Sequence, residues 1–289
     1  METVRLGRNI TIEVEEGMEI ILQDGVLKVI STQQEVSVQK EEVSVQWGDH
    51  TNPPIYPGWK KIEGATWDGK SGAYALDEHG FPMVWIPAAI LPKGLIRVNY
   101  DNSTFSEEGY YEEVPEERIQ QIIAEGGFYS PANPISRKDG KIQLCEGSLP
   151  LNNISYKKAV IELGELDTEG TGYRPIYGVE YDCICEWLDM NGYSMTDSTE
   201  WGNYKNTPNR EYGLAPIGSR KKARTSIGIN DFGGTLLWIT EEKNGRLGCA
   251  VRGGSYSGDG GDHPAGERDY FFADDFGYAV GVWAVPFKK

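Results

Sequence analysis

The stretch that most constrains this chain is residues 249–286, CAVRGGSYSGDGGDHPAGERDYFFADDFGYAVGVWAVP. It opens on a strand-like CAVR and the pair Gly253 and Gly254. It then runs through small and acidic residues into an aromatic patch, and an alternating apolar run over 279–285 closes it. Two apolar strand candidates thus bracket a long segment rich in turn residues and poor in helix formers. Such a segment is too polar for a core, and a long loop held between strands is commonly a functional one. The expectation is a binding surface displayed on a scaffold.

The scaffold must come from a chain of 289 residues, a length for one large domain or two smaller ones. Aromatic residues make up 11%, enough to build a core, and 36 glycines with 16 tyrosines favour a loop-rich globule over a helical bundle. Acidic residues outnumber basic ones by 44 to 28, a net charge of −16. Phosphate binding needs clustered Lys and Arg, so nucleic acid is not an expected partner. The one basic cluster, Arg220, Lys221, Lys222 and Arg224, reads as solvated loop. Cysteines stand at 145, 183, 185 and 249 and make no disulfide framework. Cys183 and Cys185, two apart on a helix, diverge and can share neither a metal nor a bridge. No apolar run is long enough to span a bilayer, and the opening residues lack a signal-peptide pattern. Cytoplasmic synthesis without membrane insertion is therefore expected.

In chain order, residues 1–46 read as β. Ile10, Ile12 and Val14 alternate with polar residues, and apolar runs at 18–22 and 26–30 flank Asp24 and Gly25, a strong hairpin signal. EVSVQ occurs at 35–39 and again at 42–46, suggesting two further strands. So short a β segment buries too little to stand alone, so it is expected to serve oligomerisation or attachment. Residues 47–79 are rich in Pro and Trp and read as a connector packed on the main domain with its rings buried. AYAL (73–76) and FPMVWIP (81–87) read as a hairpin. Pro115 and Gly126 punctuate a first helix, Ser155 caps a second with Ile154 stapled to Ala159, and a third covers 178–190 with Ile184, Trp187 and Leu188 as its stripe. Residues 193–227 read as loop, and a strand follows at 235–240. Helices gathered mid-chain between β regions give an α+β class.

Seven stretches occur in an order that resembles a known family: FPMVWIP (81–87), GGFYSPANPISRKDGKI (126–142), LPLNNISYKKAV (149–160), RPIYGVEYDCICEWL (174–188), DSTEWGNYK (197–205), GINDFGGTLLWIT (228–240) and VRGGSY (251–256). Over about residues 80–287 the chain resembles the formylglycine-generating-enzyme-like branch of the C-type-lectin fold. It looks closest to the variable ligand-binding proteins carried by phages and by diversity-generating retroelements. The resemblance implies a C-type-lectin-like domain over 80–289, preceded by the small N-terminal β segment. In the oxidases of that family two cysteines after GGSY bind copper and carry the reaction. The matching positions here are Gly258 and His263, so that thiolate chemistry is not expected. The related iron enzymes need a histidine set, and this chain has only His50, His79 and His263. The family's GNVWEW appears as GTLLWI (234–239), without the Asn and Glu that help organise calcium in some members. Calcium held by Glu241, Glu242 or the Asp-rich tail stays open, and no cofactor is expected otherwise.

What the resemblance implies is recognition. In the retroelement branch the variable region follows RGGS and changes at adenine-containing codons, which yield Asn, Asp, Ser, Gly, Tyr and His. Residues 257–263 are made only from that set. The expected ligand face is Tyr256, Ser257, Asp259, Asp262, His263, Tyr270, Phe271, Phe272, Asp274, Asp275 and Tyr278, a mix of aromatic and adaptable polar groups of the kind paratopes use. Arg252 and Arg268 are expected to brace the loops, with Gly253, Gly254, Gly281 and Trp283 as framework. The expected function is non-enzymatic binding of a cell-surface protein or glycan, on a phage tail or another virion or cell-surface structure, by a homo-oligomer or a larger viral assembly. A structural virion decoration without ligand is the second reading, and a degenerate oxidase the third.

Overall fold

The computed structural model describes residues 2–5, 11–14, 18–23, 26–31, 46–67, 72–96, 98, 110–208, 213–244, 248–272, 277 and 279–289. Within these, the side chains of 2–31, 110, 244 and 270–272 are not described. Two hairpins come first, β1 (Glu2–Arg5) with β2 (Thr11–Val14) and β3 (Met18–Gln23) with β4 (Val26–Ser31). Gln23 pairs with Val26, leaving the two-residue connection that an Asp-Gly dipeptide favours. The EVSVQ repeat, apart from Gln46, lies outside the described residues.

The chain continues through β5 (Lys60–Lys61), β6 (Ala73–Leu76) and β7 (Pro82–Ile86) to the short β8 (Tyr110–Tyr111) and helix α1 (Glu116–Glu125). Strand β9 (Phe128–Pro131) and the hairpin β10 (Ser136–Lys138)–β11 (Lys141–Gln143) lead to α2 (Tyr156–Gly164). Strand β12 (Thr171–Pro175) runs almost directly into α3 (Gly178–Met190). After a long loop come β13 (Leu237–Asn244), β14 (Gly248–Arg252), β15 (Arg268–Phe272), β16 (Val280–Val282) and β17 (Ala284–Lys288). One antiparallel sheet has the order β5-β6-β7-β9, and a second has β15-β14-β13-β16, with β8 added along β13. β12 and β17 form an antiparallel pair, and α3 packs on both β7 and β13. The class is α+β. Among the described residues no helix is long and apolar enough to cross a membrane.

The helices start and stop where local chemistry dictates. Pro115 precedes α1 at φ −56°, two acids occupy its first turn, and Gly126 ends it in the left-handed region at φ 76°. A Cβ at Gly126 would lie 2.6 Å from the Gly48 carbonyl oxygen, so the position also requires a bare α-carbon. Ser155 caps α2 by accepting from the Lys158 amide, with Ile154 and Ala159 buried as expected.

Four readings change in the structure. Helix α3 is shielded along its whole length from Gly178 to Leu188, not along a stripe, because sheet strands flank it on two sides. The strand expected at 235–240 begins at Leu237, where pairing to β16 begins, and continues to Asn244 through a bulge after Ile239. The run 279–285 is two strands: β16 lies parallel to β13, β17 pairs with β12, and the buried Trp283 separates them. Finally, residues 268–272, expected as irregular loop, form β15 against β14 with Arg252 opposite Arg268.

Strand β7 lies between two apolar layers. Val84 and Ile86 face a cluster with Phe128, Tyr181, Trp187, Trp238 and Trp283, while Met83 and Trp85 face another with Tyr129, Ile239, Val251 and Val282. Both faces are dry, which is why FPMVWI is continuously apolar and does not alternate. Trp283 stacks edge-on against Phe232 and Trp238, and its indole N–H donates to Ser130 Oγ at 3.0 Å.

A buried charge cluster joins α3 to the second sheet. Asp182 accepts from Arg252 (2.5 Å) and meets Arg268 (3.3 Å), and Glu242 meets the same two guanidiniums at 3.5 and 2.9 Å. Arg252, Asp182 and Glu242 are fully buried. Burial lifts the Asp182 carboxyl even against the pull of its two arginines. Replacing Arg252 with Met strips both acids of a shared partner, and a loss of about 3–5 kcal/mol is expected from the urea midpoint. A loss below about 1 kcal/mol would rule out this role. Trp283→Ala, which empties the junction of the layers, is expected to cost about 3–5 kcal/mol by the same measurement.

Candidate functional site

The loop after β14 leaves the sheet through two glycines that nothing larger can replace. Gly253 stands at φ 72°, and its amide donates to the Glu267 carbonyl at 2.9 Å. A Cβ on Gly254 would lie 1.9 Å from the His263 carbonyl oxygen and 2.6 Å from Tyr204 Cε1. The loop rests on a bed formed by residues 194–207. Ser198 N donates to Gly260 O (2.9 Å), Lys205 N to Gly258 O (3.0 Å), and Gly266 N to Met195 O (3.1 Å). Gly260 N donates to Asn206 Oδ1 and Ala265 N to Ser198 Oγ, both at 2.9 Å. From below, the Tyr181 hydroxyl donates to Ala265 O at 3.0 Å, and Arg252 Nε donates to Glu267 O at 3.1 Å. Every one of these anchors addresses the main chain of the loop.

Above the bed the loop walls a cleft of about 330 Å³. Ser257, Asp259, Asp262 and His263 line it from the loop, Glu267 from just before β15, Asp269 from within β15, and Lys205 from the bed. Asp259 Oδ1 accepts from the Gly261 amide at 2.9 Å, and Ser255 and Ser257 share a hydroxyl hydrogen bond at 3.0 Å. His263 Nδ1 lies 2.9 Å from Glu267 Oε1, and this bond raises the imidazole pKa above its ordinary value. Its side chain is 56% exposed. Carboxylates thus outnumber the basic groups at the cleft, which suits donors such as hydroxyls, amides or ammonium groups.

The cleft brings together four residues read from the sequence, Ser257, Asp259, Asp262 and His263. Tyr256, also expected on the ligand face, is half-buried against the core. Tyr270, Phe271 and Phe272 are the part of β15 whose side chains are not described, and Asp274, Asp275 and Tyr278 lie outside the described residues. Lys205, Glu267 and Asp269 also line the cleft, with no local sequence signal that marks them for it. Lys205 comes from a distant loop, and only the pairing of β15 with β14 places the two acids. Arg252 braces the loop at the Glu267 carbonyl, as expected, and Arg268 contacts Asp182 and Glu242 beneath it. Glu241 accepts from the Tyr156 hydroxyl and Glu242 sits among the buried arginines, so both acids considered for calcium have protein partners. Among the described residues no group of three His, Cys, Asp or Glu side chains is placed to hold a metal ion. All four cysteines are free thiols; burial pushes Cys249 up to about 11, and it raises Cys183 and Cys185 as well.

No family model and no curated protein matches the chain. Solved structures similar to it include the crystal structure of CarF, which aligns over 53% of this chain and 70% of that one at 20% identity with a TM-score of 0.39. Treponema denticola variable protein 1 aligns over 75% of this chain and 98% of that one at 12% identity, with a TM-score of 0.45.

Proposed function

We propose that the chain is a non-enzymatic ligand- or receptor-binding protein that presents the 254–269 loop cleft as its recognition surface on a C-type-lectin-type scaffold. In this reading it acts as an adhesin of a phage tail or as a retroelement-diversified binder. The observation that carries the proposal is the division of labour in the loop. Its main chain is held by Ser198, Asn206, Tyr181, Arg252 and the backbone of the bed, while Ser257, Asp259, Asp262 and His263 line the cleft. Side chains that take so little part in anchoring can change identity at small cost to the fold, which is what a variable surface requires. Gly258 and His263 stand where the related oxidases need thiols, which supports binding over oxidation.

The test uses the full chain and a variant carrying Ser257→Ala, Asp259→Ala, Asp262→Ala and His263→Ala. Each exposed loop change is expected to shift stability by about 0.5 kcal/mol or less, so both proteins should melt within a few degrees of each other. Both are then applied to arrays of immobilised glycans and of cell-surface proteins. Retention of the wild type, and not of the variant, on at least one array element supports the proposal. Equal retention of both, or of neither, moves the reading to a structural decoration, and a far lower melting temperature for the variant would assign these side chains to the framework.

A further inference from the structure

The loop that walls the cleft carries Gly258, Gly260 and Gly261 in close succession, and their surroundings differ. A Cβ on Gly260 would lie 2.6 Å from Thr199 N, 2.7 Å from Thr199 Cα and 2.8 Å from Tyr204 Cδ2. Two of those atoms are backbone and cannot swing aside. Gly260 is also held against them, its amide on Asn206 Oδ1 and its carbonyl on Ser198 N. The Tyr204 ring is fully buried, and other bare α-carbons crowd it. A Cβ on Gly202, Gly234 or Gly254 would come within 2.3, 2.7 and 2.6 Å of it respectively. The loop is thus laid directly on this ring, with no volume left for a methyl group at 254 or 260.

Gly258 and Gly261 stand clear of it. Neither has the positive φ that restricts a site to glycine. Among the described residues, the nearest atoms to a Cβ on Gly258 are Ser255 O at 3.4 Å and His263 Cβ at 3.5 Å, and Gly258 already lines the cleft. A Cβ on the exposed Gly261 meets Asp259 Oδ1 at 3.5 Å and Asp197 Oδ1 at 3.9 Å. These are ordinary contact distances. We propose that 258 and 261 are specificity-determining positions of the cleft, open to side chains that set what is bound, and that Gly260 between them is fixed by Thr199 and Tyr204. The inference rests on the reading of this cleft as a recognition surface. A side chain at 258 adds to the wall beside His263, and one at 261 carries the surface outward toward Asp197 of the bed. An aromatic residue at either position brings large contact area at low entropy cost. Because the Gly258 carbonyl is bonded by Lys205 N and Gly260 is tethered on both sides, the new groups are presented from an ordered main chain.

Full-length Gly258→Tyr, Gly261→Tyr and Gly260→Ala, set beside the wild type, decide the matter. The two tyrosine variants should melt within a few degrees of the wild type. Gly260→Ala, a far smaller change, should melt at least about 5 °C lower or fail to fold. On the arrays of immobilised glycans and cell-surface proteins, each tyrosine variant should gain or lose at least one element by about tenfold or more. The proposal is overturned if the tyrosine variants lose as much melting temperature as Gly260→Ala, if Gly260→Ala is as stable as the wild type, or if either tyrosine variant keeps the wild-type array pattern. A wild type that no element retains counts against the recognition reading alone. Tyrosine variants that then gain elements still support the inference, and variants that gain none overturn it.

Discussion

The pairing of two buried acids with two buried arginines sets the geometry that the rest of the molecule uses. Asp182 belongs to α3, Glu242 to β13, Arg252 to β14 and Arg268 to β15, so the cluster ties four elements at one point. Charges of this kind are tolerated in an interior only when each meets its partner at short range, and removing one member leaves the others stranded. A shift of α3 along the sheet, or a slip of β15 by one residue, would separate the pairs. The cluster therefore acts more on uniqueness than on net stability, because an apolar substitute could pack the same volume without dictating a register.

From that point the arrangement of the loop follows. Arg252 reaches past its own strand to the Glu267 carbonyl, and Gly253 bonds the same carbonyl from the main chain. The loop is thus closed at its root by atoms common to every residue type and supported along its length by the bed at 194–207. Recognition and folding draw on different atoms of the same segment. An antibody paratope separates them in a similar way, with a sheet beneath and adaptable polar groups above.

Much of this was legible in the sequence wherever the cause is local. The β3–β4 pairing around Asp-Gly, the Pro115 and Gly126 punctuation of α1, the Ser155 cap and the bounds of α3 all rest on a few adjacent residues, and the described residues have these elements where the chain implies. The misreadings have non-local causes. RDYFF lacks alternation, and its strand character comes from pairing with CAVR. Nothing near Glu180, Asp182 and Glu242 in the sequence announces that arginines from four other segments will meet them. Trp283 interrupts what looks like one strand because its ring turns into a core assembled from β7, β9, α3 and β13. At the cleft, the loop's own side chains could be read, while Lys205, Glu267 and Asp269 required the fold.

The double-sided burial of β7 has a kinetic consequence. Its two apolar faces are covered by elements far away in the chain: the indole of Trp283 bonds Ser130 across 153 residues, and Arg252 reaches Asp182 across 70. Until those distant segments arrive, a strand with no polar face stands uncovered, and early compact forms expose it to other chains. Closure of such long loops precedes any reward from the contacts they make, which slows folding and lengthens that exposure. The yield of native protein is thus governed by temperature and chain concentration during folding more than by the stability of the finished fold.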